Sequence, residues 1–186
     1  MTPVAIRWRS LHRPGFDRCA LEPAPAGARL VGSASYTAES GPARLDYRVA
    51  CDRAWRTTDA RVAGTLAGRT VELAFTRTAD ALWTMNGAPV SVVRGCLDLD
   101  LGFTPATNLL AIRRLALAVG QTAPAPAAWL DVEAGTLSVL PQRYERRSAT
   151  TYWYEAPSVG YQALLEVDAS GFVTRYPGLW VAAPAP

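Results

Sequence analysis

Two aspartates stand two residues apart in the run Cys96-Leu97-Asp98-Leu99-Asp100-Leu101, followed by Thr104-Pro105-Ala106-Thr107-Asn108 and then Arg113-Arg114. If the run is a strand, Leu97, Leu99, Leu101 and Phe103 point one way and both carboxylates the other, with Cα atoms about 6.5–7 Å apart. Carboxylates so placed can accept hydrogen bonds from the hydroxyls of a polyol, and two arginine forks nearby would add donors. A pair at that separation also falls within the range of about 5–9.5 Å used by glycoside hydrolases, provided burial and like-charge coupling raise one of the two pKa values. The third reading is structural: a half-buried strand with a solvated acidic face. Any Asp-x-Asp strand satisfies the spacing, so the spacing does not choose among them.

Other chemistries are excluded by composition. All 19 basic residues are arginine, so there is no lysine for a Schiff base or for a Walker-type phosphate loop. The one histidine, His12, cannot build a histidine metal cluster, and any histidine-dependent triad would have to use it; no metal or cofactor is expected. Cys19, Cys51 and Cys96 are odd in number and widely spaced, which suits reduced, buried thiols in a cytoplasmic protein better than a disulfide framework. Arg7 and Arg9 interrupt the N-terminal stretch before any apolar run forms, so neither a signal peptide nor a transmembrane segment is expected there. The net charge is only +3 and the arginines are scattered from Arg7 to Arg175, unlike the stripe of a nucleic-acid binder. With 186 residues, 49% of them hydrophobic, the chain suits one domain with a substantial core, taken here as 1–186.

The elements that must position the acidic pair follow from the period of the sequence, which is mostly two. Leu45, Tyr47, Val49 and Cys51 share one face and Arg44, Asp46, Arg48 and Asp52 the other; Val71, Leu73 and Phe75 likewise oppose Thr70, Glu72 and Thr76. Leu66-Ala67-Gly68-Arg69 and Asn86-Gly87 read as hairpin turns, with similar punctuation at Glu133-Ala134-Gly135 and at Asp168-Ala169-Ser170-Gly171. One segment, TNLLAIRRLALAVG, predicts a helix with Leu109, Ile112, Leu115 or Ala116, and Val119 on its apolar face, capped by Thr107 or Asn108 and ended by Gly120. The Pro/Ala run from Gln121 to Ala128 reads as a connection, and the AAPAP tail as a frayed end. The expected fold is mainly β, an antiparallel sheet of many strands curled in a barrel-like way around a single helix.

GCLDLDLGFTPATNLLAIRRLALAVG, then AAWL, PQRYERR, TYWYE and VDASGFVTRYPGLW, with YRVACDRAWRT upstream, resemble the signature of a bacterial glycolipid-binding family formerly classed as a domain of unknown function. The resemblance runs over nearly the whole chain. Where the family has a proline in the helical stretch this chain has Ala111, which removes a helix breaker. The resemblance implies a sheet wrapped around one helix, remotely like bacterial lipoprotein carriers, a homodimer, and an acidic pocket for a ligand with an apolar tail and a sugar-like head. It makes Asp98 and Asp100 the acidic positions, Asn108, Arg113 and Arg114 the helix motif, and Asp52 and Trp55 the Cys-Asp-x-x-Trp motif. Aromatic faces are what sugar-head recognition needs, because CH faces stack on rings; Trp55, Tyr144, Tyr152, Trp153, Tyr154 and Trp180 could supply them, or could be core or interface packing. The expected function is non-catalytic binding of a glycolipid or related amphiphile, against a hydrolase using Asp98 and Asp100, or a dimeric scaffold without ligand.

Overall fold

The computed structural model describes residues 4–184; Ala185 and Pro186, the end of the tail expected to fray, lie outside them. The first half of the chain is a meander of β1 (Val4–Ser10), β2 (Gly15–Ala24), β3 (Gly27–Thr37), β4 (Pro42–Asp52), β5 (Thr57–Leu66), β6 (Arg69–Arg77), β7 (Trp83–Met85) and β8 (Ala88–Pro89). Then come β9 (Asp98–Asp100), α1 (Asn108–Leu115), β10 (Thr122–Pro124), β11 (Ala127–Asp131) and β12 (Thr136–Leu140). The chain ends with β13 (Arg143–Arg146), β14 (Thr151–Ala156), β15 (Tyr161–Val167), β16 (Val173–Tyr176) and β17 (Trp180–Ala182).

Fourteen of these strands form one antiparallel sheet in the order β10-β13-β14-β15-β16-β17-β1-β2-β3-β4-β5-β6-β7-β8, joined across the two chain ends by the β1–β17 pair. The mainly β, antiparallel fold is as expected, with the sheet left open rather than closed into a barrel: β10 and β8 are its edges and do not pair with each other. Both edges are short and contain a proline, Pro124 and Pro89, and so offer little backbone for further pairing. A second sheet, β12-β11-β9, pairs β9 in parallel with β11 and antiparallel β11 with β12.

The alternation predicted for β4 holds along the strand: Ala43, Leu45, Tyr47, Val49 and Cys51 are buried, while Arg44, Asp46 and Arg48 are exposed. Ala67 and Gly68 turn β5 into β6, and Asn86 and Gly87 turn β7 into β8, all four with positive φ, as two-residue hairpins of this kind require. All three cysteines are buried and free.

The helix is shorter and more enclosed than its pattern predicts. Asn108, Leu109, Leu110, Ala111 and Ile112 are all buried, so the first turns have no solvated face. Leu109 and Leu110 pack into the core under β1–β7, whereas Ala111 and Ile112 pack with Tyr144, Tyr154 and Leu165 under β13–β16. The expected C-terminal turn is absent: Ala116 takes φ 45° and ends the helix, Leu117 turns inward, and Val119 is exposed. Thr107 does not cap with its side chain; its hydroxyl accepts the Leu101 N–H at 3.4 Å instead. The Pro/Ala run is also more than a connection, since it supplies β10 and the start of β11, with Ala125, Ala127 and Ala128 fully buried.

Gly32 faces inward on β3, where the Tyr47 ring lies across it, and a Cβ there would sit 2.2 Å from the ring's Cζ. Because Tyr47 is buried, its ring cannot swing away freely. Gly32→Ala is expected to lower stability by about 1–3 kcal/mol, an overpacking cost, read as the shift of the urea midpoint; an unchanged midpoint would show that Tyr47 can move.

Candidate functional site

The acidic strand β9 lies inside the molecule rather than on it. Asp98 is 2% exposed and Asp100 9%, so a solvated acidic face is ruled out. Thr57, at the start of β5, clamps the strand: its N–H donates to the Leu97 carbonyl and its hydroxyl accepts the Leu99 N–H, both at 3.0 Å. Arg77 in turn donates to the Thr57 carbonyl at 2.6 Å.

The two carboxylates have different partners. Asp98 receives the fork of Arg114, with Nε at 3.0 Å from Oδ1 and an Nη at 2.5 Å from Oδ2, tying β9 to the last turn of α1. Burial pushes the Asp98 carboxyl up, opposed by the hydrogen bonds and charge of Arg114 and by the charge of Arg77. Asp100 is held by the Gly102 N–H, which donates to Oδ1 at 2.8 Å; Gly102 turns back at φ +67°, where a Cβ would meet the Trp129 indole at 2.7 Å. No other hydrogen bond to this carboxylate forms among the described residues, and burial raises its pKa to about 6.

Asp100 opens onto a cavity of about 260 Å³. Its walls include Asn108, Trp129, Tyr154, Tyr161, Tyr176 and Trp180, with Leu140, Ala156, Val159 and Leu179 as apolar surface. The tyrosines form one aromatic cluster, with Tyr154 5.8 Å from Tyr176 and Tyr161 5.2 Å from Tyr176 between ring centroids. Behind the wall, the Asn108 amide donates to the Tyr144 hydroxyl at 2.8 Å, and Tyr154 donates to Gln142 at 2.8 Å, so the rings are held from behind by a buried polar network.

Thus Asp100, Asn108 and Tyr154 meet at one cavity, with Tyr144 one hydrogen bond behind. Asp98 and Arg114 form the support beneath it. Asp52, Trp55 and Arg113 lie elsewhere: Asp52 Oδ1 accepts the N–H groups of Ala54 and Arg56, each at 2.9 Å, making a turn. Arg113 spans from the helix to the Ser170 carbonyl at 2.7 Å and lies 5.3 Å from the centre of the Trp55 ring. Of the other aromatics, Trp180 joins the cavity wall and Tyr152 packs in the second core cluster, while Trp153 donates to Glu155 at 2.8 Å.

Sequence patterns place Thr104 beside the acidic run without giving it a role and do not point to Asp17. Thr104 lines the cavity and its hydroxyl donates to buried Asp17 of β2, which also receives Tyr47 at 3.0 Å. Burial raises the Asp17 pKa to about 7. An aspartate at an inward position of an otherwise alternating strand was the available signal. A larger concavity, about 880 Å³, lies on the outer face of β1–β5 and contains none of the predicted site residues.

An open antiparallel sheet plugged by a buried acidic strand and one helix, with an aromatic-walled cavity at the plug, defines the class: a mainly β protein with one short, enclosed helix. The chain belongs to the family described as Putative glycolipid-binding, whose model matches residues 5–182. It is also similar to a crystal structure of a DUF1089-family protein from Pseudomonas aeruginosa, 30% identical, with a TM-score of 0.80 over 90% of this chain and 91% of that one. No curated protein matches it. No helix among the described residues is long and apolar enough to cross a membrane.

Two predictions follow from the carboxylates. Asp98→Asn leaves Arg114 without its charge partner and is expected to destabilise the fold by about 3–5 kcal/mol in chemical denaturation; a loss below about 1 kcal/mol would mean that the pair carries no structural weight. For pH, Asp17 and Asp100 have folded pKa values raised to about 7 and about 6 from an ordinary 3.8, so the native state binds more protons than the unfolded one in that window. Their stabilising contribution is full below about pH 4 and is lost as pH rises through about 6–7. The melting temperature should therefore be higher at about pH 5 than at about pH 8, and Asp17→Asn should flatten the difference; a native melting temperature that climbs across that interval would contradict it.

Proposed function

We propose that this protein binds a glycolipid or a related amphiphile without chemical conversion, and that the cavity at Asp100 takes a ring of its sugar-like head. The observation that carries this reading is the spare acceptor: the Asp100 carboxylate, bonded to one N–H, faces a cavity walled by Trp129, Tyr154, Tyr161, Tyr176 and Trp180. Hydroxyls of a sugar donate to such a carboxylate while the CH face of the ring stacks on an aromatic side chain. A volume of about 260 Å³ sits just below the usual range for whole small-molecule ligands, about 300–1,000 Å³, and suits one ring with the tail left to the apolar rim of Leu140, Val159 and Leu179.

Binding is favoured over hydrolysis because the second carboxylate is committed. Asp98 does not line the cavity and is engaged by Arg114, so an acid and base pair on opposite sides of a substrate bond is lacking. The family description supports a glycolipid as the ligand class; the family resemblance supports a homodimer, and three buried free thiols support a reducing, cytoplasmic setting.

Titration with octyl glucoside below its micellar concentration, followed by tryptophan fluorescence, tests the reading through Trp129 and Trp180. Asp100→Asn should weaken binding by about tenfold to hundredfold, the loss of a charge-assisted hydrogen bond of about 1.5–3 kcal/mol. Native affinity should also fall below about pH 6, as Asp100 becomes protonated. Equal affinity in native protein and variant would remove Asp100 from the site.

A further inference from the structure

On the outer face of β1–β5, side chains turned away from the core form two rows across the strands. One row runs Arg7, Arg18, Ser33, Asp46, Ala63 and the next Ala5, Ala20, Val31, Arg48, Arg61, each residue directly opposite its neighbour on the adjoining strand. Together they line the concavity of about 880 Å³, four arginines and one aspartate around a floor of small and apolar side chains.

Arginine faces arginine at both ends, Arg7 against Arg18 and Arg48 against Arg61. Directly opposed like charges on a strand pair, with Cβ atoms about 4.5–5.5 Å apart, are destabilising. At one end carboxylates offset the repulsion, since Arg61 pairs with Glu72 at 2.9 Å and Arg48 with Asp59 at 3.6 Å. At the other end no ion pair to Arg7 or Arg18 forms among the described residues. Asp46 lies two strands from Arg18, about 9–10 Å away in the sheet, and does not reach it.

We propose that this trough is a second binding site, for an amphiphile whose phosphate or carboxylate head is clamped between Arg7 and Arg18 and whose alkyl chain lies over Ala20, Val31 and Ala63. The unbalanced pair supplies two guanidinium forks of the geometry that phosphate and carboxylate oxygens accept. The floor supplies what a free anion would not need: half-exposed apolar side chains, flanked by the aliphatic stems of the arginines. From β1 to β5 the trough spans about 19 Å of sheet, room for an extended medium-length chain. A second copy of the chain is a poor occupant, because four arginines against one aspartate leave the patch positive and a two-fold contact would set two positive patches against each other.

The site is independent of the cavity at Asp100, and its test separates the two. Dodecyl phosphate below its micellar concentration, titrated calorimetrically, should bind native protein at least about tenfold tighter than glycerol phosphate does. The double variant Arg7→Gln/Arg18→Gln, at exposed positions, should keep the native circular dichroism and octyl glucoside affinity while losing about tenfold or more of its affinity for dodecyl phosphate. Asp100→Asn should leave dodecyl phosphate binding unchanged. Glycerol phosphate binding as tightly as dodecyl phosphate would overturn the amphiphile, and undiminished binding by the double variant would overturn the clamp. Light scattering gives the remaining outcome: a native dimer that the double variant converts to monomer, with no dodecyl phosphate bound by either, would make the trough a subunit interface instead.

Discussion

A carboxylate removed from water must find donors, and the interior of this protein is organised by that requirement. Residues 98–108 plug the concave side of the large sheet, yet they carry Asp98, Asp100, Thr104, Thr107 and Asn108, all buried. Each has a specific partner: Arg114, the Gly102 N–H, Asp17, the Leu101 N–H and Tyr144. Leaving any of these groups unpaired would cost about 1–3 kcal/mol, more for the charged ones, so the plug can sit in only one position and orientation. Asp100, with a single N–H donor, is the member of the plug whose carboxylate lines the cavity.

The large sheet is built to receive the plug. Its inward positions are apolar except at a few places, and three of those exceptions serve the plug: Asp17 binds Thr104, Thr57 clamps β9, and Arg77 braces Thr57. A shift of any of these strands by one residue would turn the same polar groups to the outer face and strand their partners. Gly32 belongs to the same arrangement, because only a residue without a side chain lets the Tyr47 ring cross β3 to reach Asp17. The polar contacts therefore select the register that the apolar alternation alone would only favour.

What could be read from the sequence was what depends on local period and turn chemistry. Leu45 to Cys51 and the Asn86-Gly87 turn carry their structure in their own residue types. The burial of Asp98 and Asp100 was not legible, because a DLDLDL-like alternation is the same whether its polar side faces water or a second layer of protein. The helix was misjudged in length for a related reason: Leu110 and Ala111 are buried along with the expected Leu109 and Ile112, and a helix enclosed on all sides has no amphipathic face to mark its end. Asp17 reaches Thr104 from a strand 87 residues away in sequence, and no spacing rule joins the two.

The outer face obeys a different rule, and its exception is informative. A strand whose inward positions are apolar places its charges outward, and several of those charges are matched: Glu22 lies opposite Arg29 and bonds it at 2.8 Å, and Arg143 lies opposite Glu155 with contacts of 2.8–3.0 Å. Exposed pairs of this kind contribute little to stability individually, but they remove the repulsion that unpaired arginines would create. Arg9, Arg44 and Arg69 are also exposed without an ion pair among the described residues, but of these arginines only Arg7 and Arg18 are set directly opposite each other, where small side chains also hollow the surface. The two concavities are thus complementary in sign. The inner one presents a buried carboxylate that asks for hydroxyl donors and the outer one exposed guanidinium groups that ask for an anion, so the charge of a ligand's head decides which of the two it favours.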